Sequence, residues 1–405
     1  MSAEFGIDVD VWLNHTQLDK VPPSAMMIRI NDSIHDPLPF GEFYLDDPFG
    51  VSKEAGMMTE GLPIKICLGT DGDNAEKDIS IPFCLERADI LDNDFPGLIG
   101  GKIKFQMLHE FSKVQNAKTK FYGQTTIDAM VSELFKPSYT SVDTEATAGT
   151  DDFWVPGRMP TEYLKEVLLP YAYSSANSDS PYVGFGNMKN VFVFKSLKQL
   201  MTASPTVKLK YGPTPTTDNK LDSTVIYDVK PFTNGFRDQR HLWKQQFSAF
   251  QEDDLSTDSV QDSTFNHLLG DGSQLPILAI NGTNSNYVYD GPVRSQSDDQ
   301  KKFLTARRNY TYINTYFQER LLVTGMFQPK LWSGQTVEME TYLQDLDADT
   351  FKMIKGEYYS GKWLIERCSH TLSGSAKRVI TQLVLARKGS DQAGKSSIKG
   401  NFIKS

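Results

Sequence analysis

Cysteine is scarce in this chain, with three in 405 residues, Cys67, Cys84 and Cys368. They lie far apart, form no CxxC pair and sit in apolar, strand-like stretches. That excludes a disulfide framework and a zinc ribbon, and reads as reduced core thiols. Long apolar runs are missing as well. No stretch approaches the roughly 18 residues that a membrane helix needs. The opening MSAEFGIDVDVWLNHTQLDK lacks the basic-then-apolar order of a secretion signal. The expectation is a chain made and folded in a cytoplasm, with no lipid-embedded segment, in which Asn281-Gly282-Thr283 is only a polar loop.

Basic charge in excess is also lacking. Lys and Arg number 42 against 51 Asp and Glu, for a net charge of -9. A general nucleic-acid surface needs a basic stripe to displace counterions from phosphates, so that class is disfavoured, although transient passage of DNA is not. What is present is 39% hydrophobic, 11% aromatic and 23% charged residues, the composition of a folded globular protein whose aromatics lean towards β structure. The length implies two or three domains.

Recognisable chemistry is the next absence. PGLIGGKIK has Gly101-Lys102, but Ile103 stands where a phosphate loop needs Ser or Thr, and Pro96 where it needs its first Gly. GFGNMK opens like a dinucleotide fingerprint, yet Lys189 replaces the last Gly and the strand-like VFVF follows, so it reads as a hairpin turn. Asp345, Asp347 and Asp349 are spaced as in a calcium loop, but Thr350 replaces its Gly and Gly356 its final Glu, which leaves a solvated acidic turn. The six histidines, His15, His35, His109, His241, His267 and His370, never form HExxH or HxH. No Ser lies in a GxSxG elbow, and Cys368 lacks the flanks of a cysteine nucleophile. A glycosidase carboxylate pair has no fixed spacing and stays open. No catalytic, cofactor-binding or metal-ligating residue is nominated, and no cofactor is expected.

The hydrophobic pattern is mostly that of strands. Between 22 and 118, AMMIRI, GEFYL, LPIKICLG, DISIPFCLERA and GKIKFQMLHEF read as strands; Ile64, Ile66 and Leu68 alternate with Lys65, Cys67 and Gly69, as in a sheet with one buried face. FYGQTTIDAMVSELF shifts to helical spacing at Ile127, Met130, Val131 and Leu134, behind the caps Thr125 and Thr126. A second helix starts at Pro160, buries Tyr163, Leu164, Val167 and Leu168, and stops at Pro170. Tyr182 to Phe185 and Val191 to Phe194 follow as short strands, then a helical turn.

Strands resume at TVKLKYG and STVIYDVKPF, and again at ERLLVTGMF, QTVEMET and a closing hairpin, GKWLIERCSHTLSGSAKRVITQLVLARKG. Between them lie the acidic FQEDDLSTDSVQDS, read as a solvated loop, and a helical pattern with Phe303, Tyr310, Ile313 and Phe317 on one side. In the hairpin, Trp363 and Ile365 are out of step with Cys368 and His370, which requires a bulge near Arg367.

This succession resembles the baseplate hub subunit of contractile-tailed bacteriophages, and is also similar to the hub part of type VI secretion spike proteins. The Gly-led strand at Gly334, the aromatic-led strand ending at His370 and the returning strand carry the likeness. FYGQTTIDAMVSELF, WVPGRMPTEYLKEVLLPYA and YVGFGNMKNVFVFKSLKQL resemble the family's middle domain in the same order, and RRNYTYINTYFQERLLVTGMF resembles its helix leading back into the second barrel. The likeness spans about 22 to 389.

The resemblance implies a β-rich α+β fold with two tube-type antiparallel β-barrel domains, a small α+β domain between them and an insertion in the second barrel. The divisions are 1–118, 119–205, 206–245 with 325–389, an insertion at 246–324, and a flexible polar tail at 390–405. It further implies a non-enzymatic homotrimer forming a pseudo-sixfold ring in the virion tail baseplate, assembled in the bacterial host cytoplasm. Its partners would be a central spike protein, a tail tube or tube-initiator protein and surrounding wedge proteins, with double-stranded DNA passing through the ring. Spike or lysozyme modules would be separate polypeptides. Acidic side chains facing the channel would repel the DNA. A weak internal echo pairs GLPIKICLG with SGQTVEMET and GKIKFQMLHE with GKWLIERCSH. His109 and His370 then read as partly buried residues hydrogen-bonded to backbone. Trp363 is core or intersubunit contact, with core favoured. The alternative is a β-rich glycan-binding or glycan-hydrolysing tail protein.

Overall fold

The computed structural model describes residues 7–13, 16–17, 26–47, 56, 59–70, 79–92, 101–113, 119–155, 157, 159–174, 176, 180–211, 225–232, 246–249, 261–264, 317, 319–344, 353–373 and 378–387. Its first strand set is β1 (Ile7–Leu13), β2 (Thr16–Gln17), β3 (Met26–Ser33), β4 (Phe40–Asp47), β5 (Pro63–Thr70), β6 (Ile79–Asp92) and β7 (Gly101–His109). The alternation in LPIKICLG holds at its start, where Ile64 and Ile66 are buried and Lys65 is exposed, but not beyond, since Cys67 and Gly69 are buried along with Leu68. Cys67, Cys84 and Cys368 are free and buried.

The middle unit opens with β8 (Lys120–Thr125) and α1 (Ile127–Phe135), which buries Ile127, Met130, Val131 and Phe135. Then come β9 (Ser141–Thr144), β10 (Asp151–Val155) and a helix, α2, in three consecutive segments, Pro160–Tyr163, Leu164–Leu168 and Leu169–Tyr171. The middle segment of α2 is widened to a π-helix, next to Pro170, which has no N–H to give the helical ladder. β11 (Tyr182–Gly186), β12 (Val191–Ser196) and α3 (Leu197–Thr202) complete the unit. Phe135 lies stacked between Phe111 and Phe192 in its core, with ring centroids 4.8 and 3.8 Å away.

The second strand set is β13 (Val207–Tyr211), β14 (Val225–Phe232), β17 (Glu319–Met326), β18 (Thr336–Gln344), β19 (Met353–Ser373) and β20 (Arg378–Arg387), interrupted by the antiparallel pair β15 (Gln246–Ala249) and β16 (Gln261–Thr264). β17 begins ahead of residue 325. Phe317 is fully buried, whereas Phe303, Tyr310, Ile313 and most of the acidic 251–262 lie outside the described residues, as do Asp345, Asp347 and Asp349. The order β18-β13-β14-β17-β20-β19 closes on itself through β18–β19, a six-stranded barrel. The first set, in the order β3-β4-β7-β6-β5-β1-β2, stays open among the described residues, and β3 joins it to the barrel along β19.

The two sets repeat one another. Placing β3, β4, β5, β6 and β7 on β14, β17, β18, β19 and β20 reproduces every neighbour and every antiparallel direction among those five strands. The sixth pair differs in direction, because β1 runs antiparallel to β5 while β13 runs parallel to β18. Fine detail repeats too. Gly61 N–H donates to Leu85 O and Leu85 N–H to Leu62 O, just as Gly334 N–H donates to Ile365 O and Ile365 N–H to Gln335 O. Gly61 and Gly334 hold φ of 78° and 85°, the left-handed region that favours glycine. Both long strands then slip register at a Glu-Arg pair, Glu86-Arg87 in β6 and Glu366-Arg367 in β19. The echo between GLPIKICLG and SGQTVEMET therefore corresponds to β5 and β18. The other echo is corrected: GKIKFQMLHE forms β7, whose counterpart is β20, and the counterpart of β19 is β6.

Candidate functional site

The residues with chemical potential converge on a buried polar seam where β3, the β11–β12 turn, the β17–β18 connection and β19 meet. Its centre is the bulge in β19. Ile365 faces Leu385 and Arg367 faces Val384, so Glu366 is the extra residue, the irregularity that the phase of Trp363, Ile365, Cys368 and His370 demands. A bulge re-aims a side chain and bends its strand. Here β19 also changes neighbour on one side, from β18 up to Leu364 to β3 from Arg367.

Glu366, 4% exposed, receives two hydrogen bonds from the Arg320 guanidinium, Nε to Oε2 at 2.7 Å and Nη2 to Oε1 at 3.0 Å. His35 Nε2 lies 2.6 Å from Oε1, and the Glu366 carbonyl accepts Ile34 N–H at 3.0 Å. Burial alone would raise this carboxyl; the bonds from His35 and Arg320 outweigh it and hold the group at about 2. Arg320 Nη1 is also satisfied, by Phe317 O. The cluster ties β3, β17 and β19 together.

Asp32 is the second pin. Its Oδ2 accepts Met188 N–H at 3.1 Å and its Oδ1 accepts Ser333 N–H at 3.0 Å, so one side chain of β3 holds both the middle unit and the β17–β18 connection. Complete burial dominates those bonds and raises the carboxyl to about 7. The GFGNMK stretch supplies the turn. Asn187 Oδ1 accepts from Lys189 and Val191 N–H, and Met188 at its tip is fully buried. Gly186 is needed for close approach, since a Cβ there would meet Tyr139 Oη at 2.4 Å.

His109 and His370 are fully rather than partly buried. His370 Nε2 donates to Leu331 O at 3.0 Å and Nδ1 accepts from Thr381 Oγ1 at 2.9 Å. His109 Nε2 pairs with Asn190 Oδ1 at 2.8 Å, and its Nδ1 accepts Phe111 N–H. Burial lowers both imidazoles to about 4, which keeps them neutral. Cys368 Sγ lies 3.5 Å from His370 Nε2, the spacing of a thiol–imidazole couple. Burial and the nearby Asp32 push the thiol well above its ordinary value, the opposite of what a nucleophile needs. Among the described residues no three or more His, Cys, Asp or Glu side chains gather as metal ligands. The seam is suited to holding units in register.

Its titration predicts a pH profile. A base lowered in the native state loses stability as pH falls from its ordinary 6.5 towards 4, and two such histidines act together. Asp32, raised from 3.8 to about 7, works the other way and gains stability as pH falls through that window. The unfolded chain then binds about one proton more near pH 5, and stability should fall as pH drops from 6.5 towards 4, by on the order of 1 kcal/mol per pH unit around pH 5. Denaturant titrations across pH check this, and His370→Gln should flatten the slope.

No family model matches the sequence, and no curated protein matches it. Solved structures do. The 43 kDa tail protein of prophage MuSo2 from Shewanella oneidensis superposes with a TM-score of 0.55 at 10% identity, over 94% of this chain and 98% of that one. The tail protein from Neisseria meningitidis MC58 gives 0.54 at 10% identity, over 96% and 98%. The chain has the fold of these tail proteins. An E. coli component of the type VI secretion system aligns with a TM-score of 0.47 at 8% identity, over 95% of this chain and 77% of that one.

The seam was hidden from sequence reading, since His35 and Glu366 are 331 positions apart and Arg320 and Glu366 are 46 apart. His370 and the bulge were legible from strand phase. The β1 strand is legible too, in the alternation of Val9, Val11 and Leu13, although the same stretch lacks the features of a signal peptide.

Proposed function

We propose that this chain is a non-enzymatic hub subunit of a phage tail baseplate. Three copies form a ring around an axial channel, which joins a threefold central spike to a sixfold tail tube, contacts wedge proteins and lines the DNA route. The observation that carries this reading is the repeat of strand order within one chain, on a fold shared with phage tail proteins. A subunit that contains the same unit twice turns threefold assembly into near-sixfold geometry. In this reading the first strand set also closes into a tube-type barrel, and the divisions follow 1–118, 119–205, and 206–245 with 325–389, the last extended back to Glu319 because β17 is a barrel strand, around an insertion that starts at 246.

The eight strands β14-β17-β20-β19-β3-β4-β7-β6 form one continuous stretch of sheet. The face opposite the core carries Arg29, Glu42, Lys104, Arg87, Asp89, Asp228 and Lys230, of which Lys104 pairs with Glu42, Arg87 with Asp89 and Lys230 with Asp228. Arg367, Lys102 and Asp46 lie on the same face and are exposed, so bases outnumber acids there and an acidic lining inferred from net charge has no support.

Light scattering followed by class-averaged electron images of the purified protein tests the reading. The expected result is a trimeric ring with a central hole. A particle of any other closed symmetry would overturn it. One observation favours glycan binding instead: Phe121 and Trp154, cross-strand partners on β8 and β10, are 57% and 59% exposed. Hydrolysis of cell-wall polysaccharide, lost with a single Asp or Glu change, would establish that alternative.

A further inference from the structure

The repeat makes a prediction at the level of residues. Beyond its bulge, β19 leaves β18 and pairs along seven positions with β3, from Arg367 opposite Ser33 to Ser373 opposite Met27. In the repeat, β6 is the counterpart of β19 and β14 the counterpart of β3. Among the described residues both have open edges at the matching places. The pairing of β6 with β5 ends at Cys84, and beyond it the described residues of β6 pair only with β7. The pairing of β14 with β13 ends at Ile226, and beyond it the described residues pair only with β17. These are the two end strands of the eight-stranded stretch. Each carries an exposed large hydrophobic residue beside the open edge, Ile90 at 43% and Tyr227 at 45%.

We infer that β6 of one copy pairs antiparallel with β14 of the next, repeating between chains the ladder that β19 and β3 form within one. This rests on the ring reading and specifies its seam. The register follows from the repeat. The bulges align Glu86 with Glu366, so Ile90 takes the place of His370. Gly41 and Leu321 occupy matching places opposite Met107 and Leu385, so Pro231 takes the place of Ile30. Since His370 faces Ile30 within the chain, Ile90 faces Pro231 between chains, with Asp89 opposite Phe232. Pro231 withholds one donor, which is tolerated on an edge strand and leaves the rest of the ladder intact. An unpaired edge invites a strand of another chain. Because the two edges are different surfaces, the contact is heterologous, and it propagates head to tail until it closes.

The second copy is therefore the occupant, and a disulfide tests it. Directly opposed residues in an antiparallel pair have Cα atoms about 4.5 to 5.5 Å apart, within the reach of a disulfide. The full-length Ile90→Cys/Pro231→Cys variant, oxidised at high protein concentration, should give covalent species that end at the trimer. An equimolar mixture of the two single variants should stop at dimers. Ile90→Cys/Val229→Cys, displaced by two positions on the same face, should cross-link at least about tenfold less. Thermal unfolding of the reduced variants shows that each is folded. A trimeric ring in electron images that cross-links no better through the designed pair than through the displaced one overturns the strand pairing and leaves the ring reading standing. Monomers throughout, in both mass and cross-linking, overturn both. A cross-link confined to single chains also overturns the pairing.

Discussion

Glu366→Leu should lower the free energy of unfolding by about 3–5 kcal/mol, the usual cost of stranding one partner of a buried ion pair. The variant leaves Arg320, 7% exposed, with its Phe317 bond and no counter-charge within the cluster. It also removes the acceptor of His35. The physical asymmetry makes the test specific. Two charges brought together out of water roughly balance their own desolvation, whereas one charge left behind does not. Arg320→Met combined with Glu366→Leu should therefore recover most of the loss, to within about 1 kcal/mol of the parent. Equilibrium denaturation of the parent, both single variants and the double variant closes the cycle. If the double variant is as unstable as the sum of the singles, the pair is not the unit of stability. Acid gives an independent view. A carboxyl held at about 2 rather than its ordinary 4.5 supplies stability that is present above 4.5 and lost as pH falls through 2, and Glu366→Leu should abolish that part of the acid transition.

Trp363→Ala should cost about 3–5 kcal/mol, in the range of large aromatic truncations in cores. Trp363 is 1% exposed in the single chain, its Nε1–H donates to Tyr359 O at 3.0 Å, and the Arg387 guanidinium lies over its ring at 4.1 Å. Arg387 is itself paired with Glu319, so removing the ring opens a cavity and takes away the surface on which that pair rests. The loss should be the same at low and high protein concentration, because the burial is within one chain. A loss that grows on dilution would instead make Trp363 an intersubunit contact. Trp363→Phe keeps the ring face, gives up the indole bond and should cost about 1–2 kcal/mol.

Strand identity was legible where one face is buried. Ile64 and Ile66 flank the exposed Lys65 because β5 turns alternate side chains to the core, while farther along the strand Cys67 and Gly69, on the other face, are covered too. The same logic exposed the bulge, because Ile365 and Cys368 are both core residues at odd spacing, which a regular strand cannot provide. Length was harder to read. β19 runs for 21 residues through Gly361, at φ 115°, where a turn or strand end would be expected. The repeat shows a different limit. Its second echo rests on shared Gly-Lys letters, whereas the structural equivalence lies in pairing register, in which Glu86-Arg87 matches Glu366-Arg367. Hydrogen-bond partners carry that information and residue type barely does. The seam was illegible for the same reason. Asp32, Met188 and Ser333 become neighbours only once three separate units dock.

The ladder between β19 and β3 has a kinetic consequence. Its two strands belong to one polypeptide, so each meets the other at an effective concentration set by the connecting chain, which dilution cannot lower. A contact between separate molecules weakens as the solution thins. Any assembly built from this chain therefore has two kinds of joint, permanent ones inside each polypeptide and reversible ones between polypeptides. On dilution it should come apart into whole chains and never into half-chain units.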